Sequence, residues 1–415
     1  MSNNYNLSAI PYFNELLKND TVTNLNILKL NKIECRSNNS VYKVIRYDKS
    51  LLCHDLIPSY GLCRSVIVNS ANQVVGFAPP KSIQADVFIQ KYPHHNNDEY
   101  YIDVEEFVEG TMINVFFDPT IGITGGWEIS TRNTVGATSS FYKSNNAKTF
   151  RQMFMEAATE NKLDINNLDT QLCYSFVLQH PENRIVVPFS KPQLYLVGVY
   201  RIVNNHDQVT VSYYDSVEYK HFFAQLGSSV KFPEIYRFVE YSELIEKFGS
   251  MNTPYNVVGV IIHNKTTGER TKIRNPVYEQ VRNLRGNQPK LQYQYLCLRK
   301  EGKVKDFLNY YPENKKDFSS FRDQVHLFTN TLFSNYVACY IRKEKPLIEF
   351  SQQYRTHMFN IHQYFMNELR EKRLYVTNNV VQKYVNELHP SLLMYCLNFQ
   401  LRKRNIDTVI ADNDN

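Results

Sequence analysis

The sequence predicts an α+β fold: an antiparallel-sheet domain followed by an all-α domain. Three observations predict it. Up to Gly286, apolar residues come in short alternating runs between turn signals, the period-2 pattern of half-buried strands. Beyond "LRGNQPK" the period becomes three and four, which lays one apolar stripe along a helix. The 415 residues suffice for two domains, expected at 1–285 and 286–415.

Taken in order, "SVIVNSANQVVGFA" is a hairpin turning at Asn69–Asn72. "EEFVEGTMINVFFD" (105–118) reads as one strand interrupted at Glu109-Gly110-Thr111. A glycine inside a strand marks a bulge, or the close approach of a ligand or another backbone. "GGWEISTRN" and "QLYLVGVYRIVNNHDQVTVSYYD" are further strands, with a helix expected over 148–162. "NVVGVIIHNKTTGERTKI" is a second hairpin, turning at Asn264–Gly268. In the helical part, Val325, Phe328, Leu332, Tyr336 and Tyr340 form one stripe. Thr377 is placed to N-cap a helix running to about Leu388, which Pro390 closes. The polar tail "ADNDN" is expected to fray.

Composition narrows the class. A hydrophobic content of 43%, with 30 Tyr and 25 Phe, supports packed cores, and 21% charged residues argues against wholesale disorder. No apolar run reaches the roughly 20 residues of a spanning helix. The start also lacks the basic region and cleavage site of a signal peptide. A soluble, cytoplasmic protein with no membrane partner is therefore expected. Cysteines 35, 53, 63, 173, 297, 339 and 396 form no C-x-x-C pair, as reduced structural thiols would. A net charge of +6 permits an anionic partner without requiring one. No metal site is expected: His94-His95 has no third ligand nearby, and His357 and His362 are not at the i, i+4 spacing. Nucleophile-elbow, triad and phosphate-loop patterns are absent, and nothing fixes an oligomeric state.

Three blocks carry a family resemblance: "LCRSVIVNSANQVVGFAPPKS", "CYSFVLQHPENRIVVPFSKPQLYLVGVY" and "NVVGVIIHNKTTGERTKIR". In this order, over roughly residues 40–290, they resemble the phage-type ATP-dependent RNA ligases, the tRNA-repair branch of the covalent nucleotidyltransferase superfamily. The resemblance implies an RNA ligase-like nucleotidyltransferase domain before the all-α one. In that family the lysine of K-x-D-G attacks the α-phosphate of ATP and carries AMP as a phosphoramidate. Burial and neighbouring cations keep that lysine neutral. Carboxylates of the third and fourth motifs fix the ribose and the divalent metal, and cations of the fifth neutralise the α-phosphate.

Carried over residue by residue, "FVEG" places Phe107 at the lysine position, with Glu109, Gly110 and Thr111 matching the rest of the motif. Ser175 and Val258 stand where the two carboxylates are expected, while Lys272 and Arg274 keep the cations of the fifth motif. The resemblance thus implies a degenerate, viral-type homologue with no certain cofactor. It would bind RNA ends or nucleotide in the old active-site cleft, in the host cytoplasm if viral. Arg64, Lys81, Glu109, Gly110, Lys272 and Arg274 would hold the nucleotide or phosphate, and Arg132 and Arg184 the RNA. Two alternatives stand beside it. One is an active ligase using ATP and Mg²⁺ with a displaced nucleophile, Lys81 being the first candidate. The other is a scaffolding protein that keeps only the fold. Tyr293, Tyr295, Tyr310 and Tyr311 among Lys290, Arg299, Lys300 and Lys305 suit either single-stranded RNA stacking or a helical core with a basic rim; the core reading is favoured.

Overall fold

The stretch that reads as one interrupted strand is two strands of two sheets, Ile102–Glu106 and Thr111–Asp118. The computed structural model describes residues 3–18, 30–37, 39–93, 101–141, 147–206 and 208–402. Two compact units result, 1–282 and 283–415. The His94-His95 pair and the "ADNDN" tail lie outside the described residues.

The first unit contains three antiparallel sheets. One has six strands in the order Asn3–Asn6, Gln208–Tyr214, Gln193–Asn205, Leu172–Gln179, Thr111–Asp118, Gly126–Ser130. A four-stranded sheet runs Ile235–Tyr236, Ile102–Glu106, Gly259–Asn264, Arg270–Arg274. Another runs Leu30–Ser37, Ser40–Tyr47, Val66–Val68, Val74–Phe77.

Phe107–Gly110 is the crossing between the first two sheets. The Phe107 amide still donates to the Gly259 carbonyl (3.2 Å), and four residues later Thr111 pairs with Leu178. At Gly110, φ is +148°, and a Cβ there would lie 2.5 Å from the Leu178 carbonyl oxygen. Glycine is therefore required because another strand's backbone passes close by, and the interruption is a change of sheet, not a bulge.

Both expected hairpins form, each closed by an asparagine side chain that accepts from backbone amides two or more residues on. Asn69 Oδ1 accepts from Ala71 and Gln73 (3.1 and 3.0 Å), and Asn264 Oδ1 from Thr266 and Thr267 (2.9 and 3.0 Å). Thr149 caps the helix Phe150–Glu160 in a full capping box with Gln152, so that helix begins two residues later than expected. It buries Met153, Phe154, Ala157 and Ala158 against Phe176, Leu178 and Leu194 of the six-stranded sheet. The opposite face of that sheet meets the Leu30–Phe77 sheet through Tyr42, Ile67, Phe77, Phe116 and Tyr200. Helices Ala85–Lys91 and Tyr241–Gly249 cover the sheet that carries Ile102–Glu106 and Gly259–Asn264, packing Phe88, Leu244 and Phe248 on Val104, Val260, Ile262 and Ile273.

The second unit is helical. Its long helix, Lys315–Tyr336, buries Val325, Phe328, Leu332 and Tyr336 as the stripe requires, while Tyr340 lies beyond it in the π-helical turn Val337–Ile341 and is half-buried. Thr377 does occupy the N-cap of helix Asn378–Glu387, though its side chain makes no capping bond. Pro390 does more than close that helix: it opens the next one, Pro390–Leu397, where its missing N–H is harmless. Tyr295 and Tyr311 are buried, packed on Phe318 (5.1 Å between centroids) and Phe307 (4.7 Å). At those two positions the aromatics are core. His357 is hydrogen-bonded to Tyr384 (2.8 Å) and Cys396 (3.1 Å). All seven cysteines are free. Among the described residues, no helix is long and apolar enough to cross a membrane.

Candidate anion-binding cleft

A cavity of about 670 Å³ is lined from both the six-stranded sheet and the sheet that carries Arg270–Arg274. Strand alternation explains its charge. Thr271 and Ile273 point into the core, so Arg270, Lys272 and Arg274 share the other face and all three line the cavity. Arg64, Arg132 and Arg282 complete the cationic lining.

The pairing of these cations is uneven. Arg274 and Arg282 both hold Glu279, at 2.8 and 3.4 Å. Arg132 donates to the Tyr47 hydroxyl (3.1 Å) and lies 5.4 Å from that ring's centroid, and its Nε is buried without a partner. Among the described residues, Arg64 reaches only the Pro79 carbonyl (3.4 Å). Arg270 is 7% exposed, and its Nε also lacks a partner. Lys272 places its ammonium 4.2 Å from the centroid of the Phe107 ring, which Arg274 approaches to 5.8 Å. Among the described residues, none of Arg64, Arg132, Arg270 and Lys272 forms an ion pair with a carboxylate.

The acids that line the cavity are engaged elsewhere. Glu105 Oε1 is 2.5 Å from His263 Nε2. Glu106 accepts from the Glu234 amide (3.3 Å), and burial pushes its carboxyl above the ordinary range. Glu109 accepts from the Val186 and Val187 amides at 2.6 and 3.1 Å. With six cations against four carboxylates in its lining, the cavity keeps a net positive field. Burial first, then repulsion from Arg270, Arg64, Arg274 and Lys81, holds the Lys272 ammonium well below the usual lysine range. Burial, with Arg270 and Arg132 nearby, brings Arg64 down to about 10. The Lys81 ammonium is lowered too, by burial first and then by Arg64, Arg274 and Arg132.

No protein-family model matches the chain. Two curated relatives do. The chain is 24% identical over 326 residues to the immediate-early protein ICP-46 homolog of Invertebrate iridescent virus 6, covering 72% of this chain and 67% of the relative. It is 25% identical over 291 residues to the RNA ligase of Rhodothermus phage RM378, covering 62% of this chain and 64% of the relative. The chain is RNA ligase-like. It spans about two thirds of the length of these relatives. Among solved structures, the RNA ligase of Naegleria gruberi with ATP and Mn superposes with a TM-score of 0.34 at 14% identity, over 49% of this chain and 57% of that one.

In this RNA ligase-like chain the cavity gathers Phe107, Val258, Arg64, Glu109, Gly110, Arg132, Lys272 and Arg274. It does not gather the other three expected residues. Ser175 is fully buried in the six-stranded sheet, donating to Asn114 Oδ1 (2.7 Å). Lys81 is exposed on a second cavity of about 280 Å³, which shares Arg270 with the first. Arg184 turns its Nε to the Val186 carbonyl (2.9 Å).

Glu109, expected at a phosphate, instead clips the Val186–Val187 backbone to the strand crossing. Glu109→Ala would leave both amides without their acceptor and is expected to destabilise the fold by about 2–4 kcal/mol, with Glu109→Gln recovering part of the loss. Urea unfolding midpoints test this; a midpoint unmoved in Glu109→Ala would show the clip to be dispensable. Arg270 and Arg282 were missed by sequence reasoning. The signal for Arg270 was available, since it stands two residues before Lys272 on the same strand face. Arg282 has none, because its place depends on where helix Pro276–Arg285 docks.

Proposed function

We propose that this RNA ligase-like protein binds nucleotide or RNA phosphates in the cationic cleft without adenylylating itself. One observation carries the reading: four cations without carboxylate partners face a cavity that Phe107 also lines, the residue that the motif resemblance sets against the family's nucleophilic lysine. Unpaired guanidinium and ammonium groups favour phosphate oxygens through charge-assisted hydrogen bonds. Phe, Ser and Val at 107, 175 and 258 supply neither a nucleophile nor a metal carboxylate. The viral and phage relatives suit a setting in host cytoplasm.

Intact mass after incubation with ATP and Mg²⁺ is expected to show no AMP adduct. Phe107→Lys alone is expected to show none either, because residues 175 and 258 stay uncharged. In parallel, binding of 5′-phosphorylated single-stranded RNA should weaken with salt at a slope of about −3 in log K against log salt, for four phosphate contacts. No binding at low salt would overturn the reading in favour of a scaffold.

A second reading, an active ligase with a displaced nucleophile, is favoured by one observation: the lowered Lys272 ammonium within the cavity. The candidate thereby moves from Lys81, which borders the other cavity, to Lys272. An AMP adduct mapped to Lys272 would establish it.

A further inference from the structure

We propose that Arg46 and Arg132 form a second phosphate subsite at the edge of the cleft, which grips an internal phosphodiester of an oligonucleotide strand whose terminal phosphate lies on Arg64, Arg270 and Lys272. The inference rests on the phosphate-binding reading above and deepens it: the ligand is a strand and not a lone nucleotide.

A pair of guanidinium groups without an anion carries it. Arg46 lies near the end of strand Ser40–Tyr47, Arg132 follows strand Gly126–Ser130, and both are half-buried. Each has a buried Nε with no hydrogen-bond partner. Their other donors reach neutral groups: Arg46 Nη1 the Asn133 carboxamide, and Arg132 Nη2 the Tyr47 hydroxyl (3.1 Å). Burial, with Arg132 beside it, pulls the Arg46 guanidinium below its ordinary range. The acids close to them in sequence are taken. Asp48 accepts from Asn31 (3.1 Å) and Ser50 (2.6 Å), and Glu128 from Arg151 (2.5 Å) and Ser37 (2.7 Å). Among the described residues, neither Arg46 nor Arg132 forms an ion pair with a carboxylate. Buried N–H groups held beside a like charge call for an acceptor that is itself negative. A phosphate supplies both, and the guanidinium fork matches its oxygens.

Position makes this one end of a longer site. Arg132 and Asn133 line the cleft, whereas Arg46 stands outside that lining and holds Asn133 from behind. The cations follow one another. Arg132 acts on Arg46, Arg132 and Arg270 both act on Arg64, and Arg270 and Arg64 act on Lys272. A single phosphate on the inner three leaves the Arg46 end without an anion. A sugar–phosphate backbone reaches both ends, as it does in the charged grooves that track single strands.

The test is calorimetric titration of the full chain with AMP, ATP and a 5′-phosphorylated RNA hexamer, for wild type, Arg46→Gln and Arg46→Lys. The hexamer is expected to bind wild type more tightly than AMP does. Arg46→Gln should weaken the hexamer by about tenfold, the loss of a charged hydrogen bond, and AMP far less; Arg46→Lys should recover part of the loss. A hexamer that binds Arg46→Gln as well as wild type overturns the inference. So does an equal loss for AMP and hexamer, which is what a merely structural Arg46 would give. ATP losing as much as the hexamer overturns it in favour of a compact polyphosphate. In each of these cases phosphate binding in the cleft stands. No binding of any of the three ligands to wild type overturns that reading as well.

Discussion

Lys272→Met is expected to stabilise the ligand-free protein while weakening phosphate binding by about tenfold to a hundredfold. The two effects share one origin. In the free protein the Lys272 charge is half-buried among Arg270, Arg64, Arg274 and Lys81, so the folded state penalises its protonated form. Methionine keeps the length and the contact with Phe107 but removes the repulsion. With ligand bound, the same charge meets phosphate oxygens, and losing a charged hydrogen bond costs about 1.5–3 kcal/mol.

The pH dependence follows with a definite sign. The folded pKa of Lys272 is depressed, so well below it both states hold the proton and the fold carries the whole penalty. Between that value and the unfolded one of about 10.4, the unfolded chain holds more protons, and stability climbs with pH. Phosphate binding restores the proton, so affinity falls as pH rises through the depressed pKa. Above that depressed pKa, calorimetry in buffers of different ionisation enthalpy should register proton uptake by the wild type and less by Lys272→Met. A variant that is less stable than wild type, with unchanged proton uptake, would sink this account.

Gly259→Ala is expected to destabilise the protein by about 3 kcal/mol or more, a large share of the 5–15 kcal/mol typical of a domain. Its φ is +131°, where side chains are strained, and a Cβ would lie 2.1 Å from the Ile273 carbonyl oxygen. Relief would require parting strand Gly259–Asn264 from Arg270–Arg274, which pair from Gly259–Arg274 onward. Lys272 and Arg274 ride on that second strand, so phosphate affinity should fall together with stability. Gly122→Ala is the control: φ is +60° with open space around the missing Cβ, and a cost of about 1 kcal/mol is expected. Equal denaturation midpoints for the two variants would mean that the close approach at Gly259 is unimportant.

Much of the architecture was legible because its signals are local. Asn69 and Asn264 close their hairpins with their own side chains, Thr149 and Gln152 start a helix within one turn, and Val325 to Tyr336 repeat on one face. What escaped depends on partners remote in sequence. The alternation of "EEFVEGTMINVFFD" runs unbroken through a change of sheet, and only the pairing of Phe107 with Gly259 on one side and of Thr111 with Leu178 on the other reveals it. The candidate site divides the same way. Lys272 and Arg274 could be read from strand alternation, as could Arg270 had the same face been followed back. Glu109 looked like a ligand contact because nothing nearby announces the Val186 and Val187 amides it accepts from. Lys81 looked like a cleft residue because sequence order does not say which of two neighbouring cavities it borders.

The strand Arg270–Arg274 wears three charges on one side and core residues on the other, and the hairpin at Asn264–Gly268 sets which side is which. One residue inserted or deleted there, with the pairing otherwise kept, would turn Arg270, Lys272 and Arg274 inward together and bring Thr271 and Ile273 to the cavity. A point substitution removes one cation; a change of one codon in length removes three and buries them. The length of that short turn, more than the identity of any single basic residue, is what heredity has to hold constant.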